Sequence, residues 1–481
     1  MKIPWNRVKI VATAGPASNN YETLKAMICS GLDIVRINFS HGKISEYKKT
    51  ISLVRRIEKE LARPIGILAD MPGPKLRVRG LPGGNPINAK NNALLTITSK
   101  KITAQNEFNI SHPVIIKALV PGALIFISDG KIRIKVLKAG KRSALCKVVA
   151  GGEIKQGAGL NFPDIDLPIP SVTSDDYGNI RFCAEHSVDF IGLSFVKDAR
   201  DVKRVKAFIG GFKHKPFIIS KIERRFAIDN LKGIIEATDG VMVARGDLGV
   251  EMPIERISNL QKEIIRRCNA AGKPVITATQ MLESMIDNPS PTRAEVSDVA
   301  NAIFDGTDAI MLSGETAIGK YPVDSVVMME KIAVQVEKKY DFDVQSRASG
   351  KRDITDIISQ SVADIALDYS VKAIVIPTLT GKTARVVSRH RPSAMIIALA
   401  SGRDVQRQLT LSWGVYPVLS AKQHPSVVMN TVSRFIKTSK LFNKGDKVII
   451  AAGTIDKGGE LSNIIKIAQV YKFLRFIRFI R

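Results

Sequence analysis

The strongest constraint on the fold is a recurrence. Short apolar, β-branched runs alternate with helix-like stretches. They are "VKIVATAG" from Val8, "DIVRINFS" from Asp33 and "PIGILAD" from Pro64. After a long gap come "VDFIGLSF" from Val188, "PFIISKIE" from Pro216, "GVMVARGD" from Gly240, "PVITATQ" from Pro274 and "DAIMLSGE" from Asp308. Near-continuous apolar strands separated by helices read as a parallel sheet covered on both faces. Eight such units read as an α/β fold, a (β/α)8 or TIM barrel.

The gap between the third and fourth runs has another texture. Gly-rich turns such as "LPGGNP" and "SDGKIRIKV" separate short alternating runs, which predicts a small inserted β-barrel lid domain over residues 75–171. Between Lys75 and Pro170 there are 15 Lys or Arg against 5 Asp or Glu, a charge that suits a lid over a polyanion. The barrel would then be built from residues 1–74 and 172–345. A break follows at "DVQSRASGKRD", from Asp343 to Asp353. Beyond it "KAIVIPT", "AMIIALA" and "DKVIIAAG" alternate with helical patterns, predicting a C-terminal open α/β domain over residues 354–481. A chain of 481 residues exceeds one ordinary core, in keeping with three such units.

Composition excludes some classes. No window of about 18 apolar residues exists, so no membrane span is expected, and "MKIPWNRVKIVATAGP" is too broken by charge and Pro4 for a leader. Cys29, Cys146, Cys183 and Cys268 are scattered without a C-x-x-C pair, which fits a reducing, cytoplasmic setting better than disulfides or zinc. The net charge of +27 attracts anions, but the basic residues are dispersed, as on a generally basic surface. No nucleic-acid-binding signature accompanies that charge, so no nucleic-acid partner is expected. The final "YKFLRFIRFIR" forms a basic face opposite an aromatic one if helical, and reads as a terminal appendage.

Barrel sites sit at the C-terminal strand ends, and polar residues collect there. The second run ends in Arg36, Asn38, Ser40 and His41, and the third in Asp70. The fifth ends in Lys221 and Glu223, the sixth in Arg245, Gly246 and Asp247. The seventh gives Thr279 and Gln280, the eighth Ser313 and Glu315. Residues i and i+2 on a strand share a side, so Lys221 and Glu223 are neighbours, either as a structural ion pair or as half of a site. Glu223 and Asp247 come from adjacent strands. Two carboxylates with open positions suit Mg²⁺ (or Mn²⁺), which keeps waters and takes substrate oxygens. Lys221 offers positive charge to a transferring phosphoryl group or a forming enolate, and Arg36 and Arg77 offer guanidinium forks. The phosphate-cradling G-x-x-x-x-G-K-[ST] loop is missing from the sequence.

Long segments carry a resemblance. "IVATAGPAS", "GLDIVRINFSHG", "SKIE", "VMVARGDLGVEMP", "ITATQMLESM" and "PTRAEVSDVANAIFDGTDAIMLSGETAIGKYP" resemble pyruvate kinase, in order and spacing through the whole barrel. The likeness is weaker in the insert and the C-terminal domain. It implies phosphoryl transfer from phosphoenolpyruvate to ADP, the last step of glycolysis, by a homotetramer of three-domain subunits. It implies that Glu223 and Asp247 hold the divalent ion and that Gly246 and Asp247 offer amides to the substrate carboxylate. Lys221 would stabilise transfer and the enolate, and Arg36 would contact the moving phosphoryl group. Thr279, with Ser313 and Glu315, would belong to the proton route, and Asn38, His41 and Arg77 to the nucleotide side. Two alternatives are a non-catalytic nucleic-acid binder and another Mg²⁺ barrel enzyme handling an enolate; the intact charged set and the long motifs disfavour them.

The sequence departs from the family's pattern at two places. The family usually reads Asp-Thr-Lys-Gly-Pro-Glu after the third strand, whereas this chain reads "DMPGPK" from Asp70 to Lys75. Asn38, Ser40, Asp70 and the carbonyl of Met71 resemble the family's K⁺ pocket. Lys75 brings a tethered ammonium to it, so K⁺ is expected to be dispensable, since two cations there would repel. In "EIKQGAGLNFP", Gly157 and Ala158 stand where lysines often sit, leaving Lys155 to serve the nucleotide. Finally, Thr378, Thr380, Gly381, Lys382 and Thr383 precede a helix where the family places a sugar-phosphate effector, or form an ordinary helix start.

Overall fold

The computed structural model describes residues 6–40, 42–339, 354–420, 428–456 and 459–471. All eight apolar runs are strands of one closed parallel barrel. In chain order they are Lys9–Ala14, Ile34–Asn38, Gly66–Met71, Phe190–Leu193, Phe217–Ile222, Gly240–Ala244, Val275–Ala278 and Ala309–Leu312. They read as continuous apolar segments because both faces are buried. One face fills the barrel interior with Val11, Ile34, Leu68, Ile219, Met242, Ile276 and Met311. The other packs on surrounding helices through Ile10, Val35, Ile67, Ile191, Ile218, Val243 and Ile310. Helices Ser174–Glu185 and Arg293–Phe304 each start with a threonine capping box, at Thr173 and Thr292.

Between the third and fourth barrel strands lies the predicted β insert. Its main sheet has seven strands, ordered Leu160–Asn161, Leu124–Ile127, Ile132–Ala139, Ser143–Ala150, Leu94–Thr98, Glu107–Ile110 and Val78–Gly80. The two edges meet: Val78 N–H donates to Ala158 O and Leu160 N–H to Leu76 O, both at 2.9 Å. The sheet is therefore nearly closed around its own core, which includes Ile97, Phe108, Ile125, Ile134, Val148 and Phe162.

The C-terminal unit is a five-stranded sheet ordered Val415–Leu419, Met395–Ala400, Ala373–Thr378, Lys447–Asp456 and Gly459–Gln469. Four strands are parallel and the last is antiparallel. Its two faces bury separate clusters. The unit closes the N-terminal end of the barrel. Leu411 joins the barrel-interior cluster, and a side chain at Gly66 would strike Thr410 Oγ1 at 2.7 Å. Buried ion pairs fasten the contact: Arg407 grips Glu58 at 2.8 and 2.6 Å, and Arg391 pairs with Asp308 at 2.9 Å. With its base plugged, the barrel is open only at the other end, where the polar strand ends gather. Among the described residues no helix is long and apolar enough to cross a membrane.

Candidate active site

Lys221 is the centre of the polar cluster. It is the fifth residue of the fifth strand, and its side chain is 11 % exposed. Its ammonium lies 2.7 Å from Glu223 Oε1 and 3.1 Å from Asp70 Oδ1, and donates to Ser194 Oγ at 2.8 Å. Burial works against this charge, but Asp70, Glu223 and Asp247 outweigh it and hold the lysine pKa above its usual value. Asp70 is shared. Its Oδ2 accepts from Arg36 Nε at 2.9 Å and Nη2 at 2.6 Å, while Arg36 Nη1 donates to Thr13 Oγ1 at 2.8 Å. Burial pushes the Asp70 carboxyl up, and Lys221 and Arg36 together pull it net below the usual range. Gly192, on the adjacent strand, makes room: a Cβ there would sit 3.3 Å from Asp70 Oδ1.

Glu223 follows the strand directly. Its Oε2 accepts from Phe195 N–H at 2.9 Å, and Phe195 holds a left-handed φ of 59° to aim that amide. Burial, with Asp247 adding to it, raises the Glu223 pKa to about 7 despite Lys221. Partial desolvation by its surroundings also raises Asp247, in the first turn of the helix Arg245–Glu251 after the sixth strand, against the pull of Lys221, although the residue reaches solvent. Two buried carboxylates, Asp70 and Glu223, and the solvent-facing Asp247 thus surround two cations, Lys221 and Arg36. The surplus negative charge weighs on Glu223 and Asp247, and that is where a divalent cation fits. Among the described residues no group of three or more His, Cys, Asp or Glu is arranged around a metal. Two carboxylates with the remaining positions left to water and substrate are the Mg²⁺ pattern, not the zinc one.

The seventh and eighth strand ends form the opposite rim. Thr279 and Gln280 are left-handed, with φ of 68° and 54°. Arg245 holds this turn by donating to Thr279 O at 2.7 Å and Gln280 O at 3.0 Å, while pairing with Asp298 at 2.7 Å. Thr279 Oγ1 accepts from Gly246 N–H at 2.8 Å. Glu315 is buried and accepts from Ser313 N–H at 2.7 Å and Leu282 N–H at 3.1 Å. The buried Ser313 hydroxyl has no hydrogen-bond partner among the described residues.

The remaining expected residues divide. Asn38 Oδ1 accepts from Ser40 N–H at 3.0 Å, and the exposed Lys75 donates to Ser40 O at 3.0 Å. The oxygens of Asp70 go to Arg36 and Lys221, so Lys75 meets the pocket at the Ser40 carbonyl. Met71 ends the third strand. Arg77 and Lys155 lie on the seam of the insert: Arg77 donates to Gly157 O at 2.8 Å, and Lys155 pairs with Glu153 at 2.9 Å. No hydrogen bond or ion pair among the described residues joins either to Lys221. His41, the segment 340–353 and residues 472–481 lie outside the described residues.

In the C-terminal domain the segment 378–383 forms a hydrogen-bonded turn leading into a helix. Thr378 Oγ1 accepts from Gly381 N–H at 2.9 Å and Thr380 Oγ1 from Lys382 N–H at 3.2 Å. Gly381 has φ 79° at the start of the helix Lys382–Ser388, into which Thr383 is buried. Sequence reasoning missed Thr13, Ser194 and the Phe195 amide. The hydroxyls following the first and fourth apolar runs, in "ATAG" and "GLSF", were the available signal for two of them.

Comparison with known proteins agrees with this geometry over nearly the whole chain. Residues 5–326 match the family model "Pyruvate kinase, barrel domain", and residues 356–468 match "Pyruvate kinase, alpha/beta domain". Pyruvate kinase 2 of Synechocystis sp. is 40% identical over 477 residues, covering 97% of this chain and 80% of that protein. The pyruvate kinase of Thermococcus litoralis is 44% identical over 425 residues, covering 87% of this chain and 89% of that one. A crystal structure of a pyruvate kinase from Cryptosporidium parvum superposes with a TM-score of 0.91 at 36% identity, covering 97% of this chain and 96% of the other. With both family models matched in order and relatives alike over nearly the whole chain, the chain belongs to the pyruvate kinase family.

Proposed function

We propose that this site transfers the phosphoryl group of phosphoenolpyruvate to ADP, giving pyruvate and ATP. The observation that carries the reading is the buried ammonium of Lys221, held between Asp70 and Glu223 at 3.1 and 2.7 Å. Phosphoryl transfer asks little covalent chemistry of a protein and much charge compensation and positioning. Glu223 and Asp247 would hold a Mg²⁺ or Mn²⁺ ion, which would offer positive charge to the phosphoryl and enolate oxygens. Lys221 adds a fixed cation that needs no reorganisation during the reaction, because three acids hold it charged and in place. Arg36 presents its fork from a buried anchor on Asp70, with Thr13 fixing the third nitrogen.

The substrate carboxylate is placed on the amides of Gly246 and Asp247. Thr279, already bonded to Gly246 N–H, then releases its hydroxyl toward the proton route with Ser313 and Glu315. The nucleotide lies toward Asn38, His41, Arg77 and Lys155, closed over by the basic insert. Lys75 stands in for K⁺, supported by its reach to the Ser40 carbonyl. The loop Thr378–Thr383 is proposed to take the phosphate of a sugar-phosphate effector, and the protein to work as a cytoplasmic homotetramer.

The test is a lactate-dehydrogenase-coupled assay with phosphoenolpyruvate, ADP and Mg²⁺. Turnover that disappears when Mg²⁺ is chelated supports the reading. A flat trace from folded protein with every component present refutes it.

A further inference from the structure

The outer face of the insert's main sheet carries a pattern that the proposed chemistry does not use. Strands Leu124–Ile127, Ile132–Ala139, Ser143–Ala150 and Leu94–Thr98 lie side by side. Their inward residues, such as Ile125, Ile134, Val148 and Leu95, are buried in the insert's core. Pleating sends the intervening residues outward. One register row crosses all four strands as Leu124, Lys135, Lys147 and Leu94. Two lysines therefore stand directly opposite each other on neighbouring strands, an arrangement that costs stability unless an anion lies between or above them. Arg133 flanks the pair, stacked over Phe126 with its guanidinium 5.5 Å from the ring centroid. Lys138 flanks it on the other side, opposite Leu145. Among the described residues Arg133, Lys135, Lys138 and Lys147 form no ion pair, and all four are exposed.

The apolar half of the pattern selects among anions. Leu94, Leu137 and Val149 on this face are 47%, 45% and 52% exposed. Leu137 and Val149 are the residues skipped at the two register shifts, so the chain pushes each out of the ladder. Nucleic acid would want open aromatic platforms for base stacking. Phe126 is the one aromatic here, and Arg133 covers it. Aliphatic side chains alternating with unpaired cations on one face match the boundary between charged headgroups and acyl chains.

We propose that this outer face docks on an anionic lipid bilayer, with Lys135 and Lys147 meeting the headgroups and Leu137 and Val149 entering the acyl boundary. The docking leaves the barrel's strand ends untouched and does not depend on the reaction proposed for them.

Sedimentation of the full-length protein with vesicles tests it. The protein should co-sediment with phosphatidylcholine vesicles containing phosphatidylserine, and not with phosphatidylcholine alone. A lysine near an anionic surface contributes about fivefold to partitioning, so Lys135→Gln with Lys147→Gln should weaken it about 25-fold. The same charge change at Lys203→Gln with Lys232→Gln, on exposed barrel helices, should leave it unchanged. Leu137→Ser with Val149→Ser should weaken vesicle binding but not retention on heparin. Absence of binding, equal binding to neutral vesicles, or equal loss from the barrel pair overturns the proposal. Tighter binding of single-stranded DNA, lost with the same two lysines, would make this a nucleic-acid face instead and would also overturn it. Retained kinase turnover in each variant confirms that it is folded.

Discussion

Asp70 contacts both cations proposed to serve the chemistry, Arg36 and Lys221, and Asp70→Asn isolates its role. The carboxylate takes two bonds from Arg36 through one oxygen and faces Lys221 through the other. Asparagine keeps the shape and one accepting oxygen but removes the charge. Lys221 retains Glu223 at 2.7 Å, so its position and charge survive. Arg36 retains only Thr13 as a polar anchor of comparable quality. The loss is then that of one charge-assisted contact, about 1.5–3 kcal/mol, or roughly 10- to 150-fold in kcat/KM for phosphoenolpyruvate. The lactate-dehydrogenase-coupled assay reads it directly. With Arg36 meeting the phosphoryl group as proposed, and Asp70 anchoring it, the Arg36→Lys and Asp70→Asn losses should be strongly non-additive in the double variant. An Asp70→Asn enzyme with unchanged kcat/KM, or a double variant whose losses simply add, would refute the idea that Asp70 works through Arg36.

Three further outcomes follow from the same contacts. Arg391 is 1% exposed, and Arg391→Met strands the buried Asp308 with only the Val275 and Trp413 amides; about 3–5 kcal/mol should be lost in denaturant unfolding of the barrel and C-terminal unit. His214 faces acceptors at both nitrogens, Val188 O at 2.6 Å and Asp404 Oδ2 at 3.1 Å. Burial opposes its charge, yet Asp404 and that carbonyl raise its pKa, so its stabilisation is full below about 6.5 and is lost as pH rises through the raised value. His214→Gln should remove that decline from the pH profile of thermal stability. Turnover at saturating substrates should be the same in Na⁺ and K⁺ buffers, and strong activation by K⁺ would show that the Lys75 ammonium at the Ser40 carbonyl does not replace it.

The legibility of the sequence followed burial. Every barrel strand was readable because it is covered on both faces and so is apolar throughout, and the charged strand ends stood out against those runs. The strands that escaped notice are the two edges of the C-terminal sheet. Val415–Leu419 is a short edge strand in which only Val415 and Pro417 are buried, and Gly459–Gln469 mixes polar residues into a strand with one free side. In the site, Lys221, Glu223, Asp247 and Arg36 declared themselves by charge. Thr13 and Ser194 did not, since a hydroxyl at a strand end looks like any turn residue. The left-handed backbone at Phe195, Thr279 and Gln280 did not show either, because none is glycine, although Thr279 and Gln280 stood out as polar strand-end residues. The Arg407–Glu58 and Arg391–Asp308 pairs span 349 and 83 residues and become visible only when the barrel base meets the C-terminal unit.

The central claim is that Lys221 is a catalytic cation and not merely the structural partner of Glu223. Lys221→Met measures it. Asp70 keeps Arg36, and Glu223 keeps the Phe195 amide and its share of a divalent ion, so folding and the binding of Mg²⁺ and phosphoenolpyruvate should persist. Turnover in the coupled assay should fall by about a thousandfold or more. If instead turnover survives, or the loss appears as failed folding or failed Mg²⁺ binding, the lysine is structural and the account of the site is wrong.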